Sequence, residues 1–252
     1  MVTQVTTGTT MLATGNNPLD SYRLSIRIST DGFSLYIHST ADGKLLKSEH
    51  ITFGTDGATG IMLEGSLRKM EMLGYNFSQV TLAADTPSTY VPLEYFRKEE
   101  MAHIYNLTFP NMKTAGKDVQ YRIMPSLEVV ELFSIDTRIS DIVQGHYPNV
   151  QTTSFRGEML EQAASLSKRF STPCMHAVLA EGRMLLCSFT RGKLQFAATY
   201  DTTSDADCTY FIMAVWKSLN LDLSRDRLYL KGASEGLRTN LNRFIKNVSK
   251  CE

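Results

Sequence analysis

The stretch Ser29-Thr30-Asp31-Gly32-Phe33-Ser34, "STDGFS", lies between two alternating apolar runs, Leu24, Ile26, Ile28 before it and Phe33, Leu35, Ile37 after it. The same pair returns as Asp42-Gly43 in "TADGK", ahead of a third run from Leu45 to Ile51. Alternation with period two marks strands, and Asp-Gly is a favoured hairpin turn because both residues tolerate positive φ. The three runs therefore predict an antiparallel meander. An acid beside a first strand is also where some enzymes hold a metal or a phosphate, so "STDGFS" is either a bend or a site.

Beyond Gly54 and Gly57, the residues Met62, Leu63, Leu67, Met70 and Leu73 recur at helical spacing from Ile61 to a stop at Gly74. Val80 to Ala84 reads as a buried strand and Leu93 to Leu107 as a helix. The order is strand, strand, strand, helix, strand, helix. It repeats after His176, with strands over His176 to Ala180, Met184 to Phe189 and Leu194 to Thr199, and turns at Glu181-Gly182-Arg183 and Arg191-Gly192-Lys193. A helix from Asp207 to Leu219 with Asp205 as cap, the strand Leu228-Tyr229-Leu230 and an amphipathic helix from Leu237 to Val248 complete the second copy. An offset of roughly 150 residues is too long for a solenoid and matches two copies of one domain.

Between the copies, "VQYRIMPSLEVVELFSID" supplies one or two strands. Thr137 to His146 forms a short helix, Val150 to Ser154 a strand and Gly157 to Phe170 a helix. No Pro- or Gly-rich linker intervenes, so the halves are expected to face each other across a cleft. The expected division is a frayed segment over 1–20, a first domain over 21–148 and a second over 149–252.

The layout is mixed α/β: a meander followed by alternating helices and strands, as in ribonuclease-H-like domains, here in tandem. Two such domains make the architecture of actin-like ATPases, an analogy of fold that carries no function by itself. The runs "TYVPLEYF" (Thr89 to Phe96), "GKLQFAATYDTTSDADCTYFIMAVWKSLNLD" (Gly192 to Asp222) and "LYLKG" (Leu228 to Gly232) resemble a bacterial family of uncharacterised proteins, a domain of unknown function with an actin-like ATPase fold. The resemblance spans about Tyr22 to Val248 and implies the fold; it implies no assigned reaction.

With 26 basic and 26 acidic residues in 252, the net charge is zero. No single-sign field marks the chain for nucleic acid or an anionic membrane. No apolar run reaches the roughly 18 residues of a membrane span, and the polar, Thr-rich start lacks the regions of a secretory signal. The expected setting is the cytoplasm. Cys174, Cys187 and Cys208 fall in apolar surroundings and read as reduced core thiols; Cys251 reads as a mobile tail residue.

The chemistry-bearing candidates are few. Working actin-like enzymes hold phosphate in their first hairpins with an Asp-x-Gly-x-x-Ser/Thr pattern, but Ser29 falls where the acid belongs, and the second copy offers Ala180-Glu181-Gly182. Ribonuclease-H-type enzymes gather carboxylates on strand one, the first helix and strand four around two metals. Asp31, Glu64, Asp85 and Asp136 fall near those positions, though Asp31-Gly32 and Asp85 read first as turn residues and Glu64 as a solvated helix start. Gly60 to Ser66 has the glycine spacing of a phosphate loop without its lysine, and Asp201, Asp205 and Asp207 lack the glycine and glutamate of a calcium loop. The histidines at 38, 50, 103, 146 and 176 show no metal spacing.

These patterns favour a catalytically silent protein that binds another macromolecule, expected to be a protein. No cofactor is expected on that reading. Magnesium and ATP belong to its rival, an ATP-binding or metal-dependent phosphoryl-transfer enzyme of the same fold.

Overall fold

Two five-stranded sheets with the same strand order organise the chain. The computed structural model describes residues 22–29, 32–52, 59–72, 74–75, 77–110, 116–180 and 182–251. Contacts divide it into two units, Met1–Ala84 with Asp136–Thr153, and Asp85–Ile135 with Ser154–Glu252. The division falls elsewhere than the expected 148/149 boundary, because the segment 85–135 keeps its contacts with the later residues.

In the first unit, β1 (Tyr22–Ile28), β2 (Gly32–Ser39) and β3 (Leu45–Thr52) form the meander. β4 (Phe77–Ala84) runs parallel to β1, and β8 (Gln151–Ser154) lies beyond it, in the order β3-β2-β1-β4-β8. Leu24, Ile26, Phe33, Leu35 and Ile37 bury one face of the strands, as the alternation demands. The helices α1 (Thr59–Met72) and α3 (Thr137–His146) pack together, joined at one end by Glu71 Oε1 and His146 Nδ1 at 2.7 Å. The Gly60 to Ser66 segment is a stretch of α1.

The second unit repeats this plan. β9 (Cys174–Ala180), β10 (Arg183–Thr190) and β11 (Lys193–Asp201) are the meander, with β12 (Arg227–Lys231) parallel to β9 and β13 (Asn247–Lys250) outermost, in the order β11-β10-β9-β12-β13. One face packs Met175, Ala177, Leu186, Leu228 and Leu230 under α5 (Asp205–Ser218) and α6 (Glu235–Leu241). The other packs Cys174, Leu185, Cys187 and Phe189 against α4 (Phe155–Ser167). The duplicated topology read from the sequence is present in both sheets.

The copies differ at the carboxyl end of the fourth strand of each sheet. After β12 only Gly232-Ala233-Ser234 leads to α6, whereas β4 is followed by an insertion. The insertion holds β5 (Ser88–Pro92), α2 (Met101–Thr108), β6 (Lys117–Met124) and β7 (Val129–Asp136), its sheet ordered β5-β7-β6. Central β7 is buried on both faces; Val130 and Leu132 meet Tyr105 of α2 and Val119 of β6.

Three local expectations are corrected. The helix expected over Leu93 to Leu107 is two 3-10 turns, Leu93–Tyr95 and Lys98–Glu100, before α2. Arg97 breaks it with extended backbone, and Phe96 and Met101 still reach the small core. The helix expected to run to Val248 stops at Leu241, because 247–250 pair in parallel with the open side of β12. α5 is capped by Ser204 rather than Asp205: Ser204 Oγ accepts the Asp207 N–H, and the Asp207 carboxylate accepts the Ser204 N–H at 3.0 Å.

The glycine corners have two physical origins. Gly43, Gly182 and Gly192 lie at φ of +71°, +69° and +75°, the turn conformation that favours glycine. Gly32 is instead the first residue of β2, where an added Cβ would overlap the Ile51 carbonyl of β3. Its own carbonyl accepts the Ser29 N–H at 2.9 Å and the Ser29 hydroxyl at 3.0 Å.

Candidate functional site

Of the four carboxylates marked by the sequence, Asp31 lies outside the described residues. Glu64 sits on α1, half-exposed, holding Arg68 one turn on at 2.5 Å. Asp136 caps α3, accepting the Arg138 N–H at 3.0 Å and its guanidinium at 3.1 Å. Partial burial pulls its carboxyl up, but the Arg138 contacts outweigh that and hold it below the usual range. Asp85, immediately after β4, is fully buried and bridges Arg156 at 3.0 Å. Among the described residues no three His, Cys, Asp or Glu side chains stand close enough together to share a metal ion.

The polar chemistry of the second unit is concentrated inside it. Arg156, on the first turn of α4, is 1% exposed and also reaches the Ala180 carbonyl at 3.5 Å. Nearby, Glu131 projects from the middle of β7 and is fully buried. The Ser154 hydroxyl donates to Glu131 Oε1 at 2.7 Å and, as the cap of α4, accepts the Gly157 N–H at 3.1 Å. A Cβ on residue 157 would overlap the Glu131 carboxylate, so only glycine lets the helix start approach it. Burial pushes the Glu131 carboxyl up to about 7, against the pull of the Ser154 and Ser88 hydroxyls and the Arg122 charge. Tyr90 is raised by its own burial and then by the Glu131 charge.

Asp85 was marked in the sequence, but Arg156 is 71 residues from it and Glu131 46, so their association was not legible there. One signal was present: Glu131 interrupts "VVELFSID", an apolar run whose length and β-branched content mark a strand buried on both faces. A charge at such a position must be neutralised, paired or protonated.

Among the described residues of the second unit, two cavities stand out. One, of about 300 Å³, is at the carboxyl ends of β9 and β12, bordered by Gly182, Arg183, Thr202, Ser204, Asp205 and Gly232. Here the Asp205 carboxylate accepts the Ser234 hydroxyl at 2.6 Å, and Arg183 Nε meets Asp201 at 3.1 Å. The other, of about 180 Å³, lies beside α4 and contains His176. Cys251, expected in a mobile tail, is half-buried there and its N–H donates to the Leu230 carbonyl at 2.8 Å. Cys174, Cys187 and Cys208 are buried free thiols, as their surroundings in the sequence indicated.

No helix among the described residues is long and apolar enough to cross a membrane. Comparison with functionally curated proteins finds no match. Among solved structures, a Bacteroides thetaiotaomicron protein with an actin-like ATPase fold and unknown function is similar at 26% identity and a TM-score of 0.81, over 92% of this chain and 91% of that one. The PilM-PilN type IV pilus biogenesis complex matches at 10% identity and a TM-score of 0.54, over 91% of this chain and 88% of that one, a likeness of fold alone. The fold is thus that of the actin-like ATPases. The profile of one family, "Protein of unknown function (DUF3822)", matches residues 15–248, and the chain belongs to that family.

Proposed function

We propose that this protein acts without catalysis, by binding an extended segment of another protein along the outer edge of its inserted sheet. The observation that carries the reading is β6. It is the outer strand in the order β5-β7-β6, and it presents Tyr121 and Ile123 at 36% and 49% exposure. The neighbouring turn adds exposed Leu93 and Tyr95, and Phe96 holds Tyr121 ring to ring at 5.3 Å. An outer strand with apolar side chains is a template for strand addition: main-chain hydrogen bonds give affinity and alternate side chains give selectivity. The same fold occurs in the PilM-PilN complex, which gives an assembly role a precedent in this architecture. Three buried free thiols suit a reducing compartment, so the proposed setting is the cytoplasm.

A photo-crosslinking amino acid at position 123 tests this in cells. A single protein is expected to be captured, and a peptide from its crosslinked segment is expected to bind the purified protein. Tyr121→Asp with Ile123→Asp should abolish that binding while leaving the melting temperature within a few degrees. Peptide binding unaffected by the double variant would refute the edge as the contact.

The rival is nucleotide binding, and the cavity of about 300 Å³ at the strand ends favours it, since ligands of open α/β sheets sit at the carboxyl ends of strands. Calorimetry with ATP and magnesium separates the two. A flat titration supports the non-catalytic reading, and tight binding with turnover overturns it.

A further inference from the structure

The cavity beside α4 is built by side chains of fixed chemistry. Ala163, His176, Met159, Leu166, Val178 and Tyr229 line it together with exposed Gln162 and half-exposed Lys231 and Cys251, and Lys231 pairs with Val178, two residues along β9 from His176. His176 is 3% exposed and lies in an aromatic pile, stacked on Tyr229 at 4.9 Å, with Tyr229 stacked in turn on Phe170 at 5.6 Å. Phe189 meets the imidazole edge-on at 5.9 Å. The ring cannot turn without breaking these contacts.

Its tautomer follows from Ser167. That hydroxyl has one proton, which it gives to the Ala163 carbonyl at 2.6 Å as a side chain on α4. The Cys174 thiol donates to Ser167 Oγ at 3.2 Å, and His176 Nε2, at 3.1 Å from the same oxygen, must also be a donor. The neutral imidazole therefore carries its proton on Nε2 and keeps a lone pair on Nδ1. Burial holds the His176 pKa down at about 4, so this form persists at neutral pH.

We infer that this cavity is a binding site for a small aromatic carboxylic acid bearing a hydroxyl group opposite its carboxylate. The hydroxyl donates to Nδ1 of His176. The ring lies against Met159, Leu166 and Val178, and the carboxylate meets the Lys231 ammonium, with Gln162 able to donate alongside. A volume of about 180 Å³ accepts one six-membered ring. The ligand is chemically distinct from the protein segment proposed for β6, and either site can exist without the other.

The probe is 4-hydroxybenzoate, titrated into nitrogen-15-labelled protein while the His176 ring resonances are followed. Saturable shifts of those resonances are expected. Benzoate, which lacks the hydroxyl, and 4-hydroxybenzamide, which lacks the charge, are each expected to bind about tenfold more weakly. Lys231→Met should weaken 4-hydroxybenzoate about tenfold and leave phenol unchanged. The half-exposed position of Lys231 makes that variant a folded one, which its unchanged amide spectrum verifies. The inference is overturned by a titration that leaves the His176 resonances in place, by equal affinities for the three probes, or by undiminished affinity in Lys231→Met.

Discussion

Arg156 and Asp85 are joined at 3.0 Å with side chains 1% and 0% exposed, a salt bridge with no bulk water around it. Such a pair contributes little net stability, because desolvating two charges offsets their attraction, yet losing one partner strands the other. Asp85→Asn and Arg156→Met are each expected to cost about 3–5 kcal/mol in urea unfolding. The double variant Asp85→Leu with Arg156→Met should recover most of that loss. Single variants within about 0.5 kcal/mol of the parent would show that the pair is not desolvated in solution.

Glu131 and His176 impose opposite pH dependences. The Glu131 carboxyl is raised from 4.5 to about 7, so its stabilising contribution is complete below pH 4.5 and is lost as pH rises towards 7. The His176 imidazole is lowered from 6.5 to about 4, so its contribution is complete above pH 6.5 and is lost as pH falls towards 4. Each effect is roughly 3 kcal/mol, and they cancel through most of the shared window. Unfolding free energy should therefore vary little between about pH 5 and 6.5 in the parent. Glu131→Gln should unmask a rise in stability with pH, and His176→Phe a fall. Parallel profiles for parent and both variants would rule out the buried titrations.

Ser204 and Asp207 form a reciprocal cap on α5, and the Thr203 hydroxyl adds a 2.7 Å bond to the same Asp207 carboxylate. Ser204→Ala should lower stability by about 1 kcal/mol, and Asp205→Ala by less, measured by thermal unfolding. The reverse ranking would assign the cap to Asp205.

The thiols should separate kinetically. Cys251 is half-buried, whereas Cys174, Cys187 and Cys208 are at most 3% exposed. With an aromatic disulfide reagent under native conditions, one thiol is expected to react within minutes and three only on unfolding, and Cys251→Ser should remove the fast phase. A fast phase that survives in Cys251→Ser would place another cysteine at the surface.

The sequence carried the elements wherever an element's own side chains settle its conformation. The alternation of Leu24, Ile26 and Ile28 makes a half-buried strand, and Ile139 and Val143 place α3 between the residues expected for it, Thr137 and His146. The repeated order of elements was legible for the same reason: both sheets are built from local periodicities in one succession.

Tertiary structure decided what depends on residues remote in the chain. Asn247–Lys250 is a strand because β12 offers an unpaired edge, although the apolar spacing up to Val248 suits a helix. Gly32 belongs to β2 because the Ile51 carbonyl of β3 presses against it, a contact that "STDGFS" does not encode. Asp85 reads in the sequence as a strand-end acid, and in the fold it bridges Arg156 of α4. Periodicity records which face of an element meets the core, and it determined the strands, the helices and their duplication. Which charge meets which partner depends on how distant segments are brought together, so the buried pair, the Glu131 cluster and the His176 cavity were decided only by the fold.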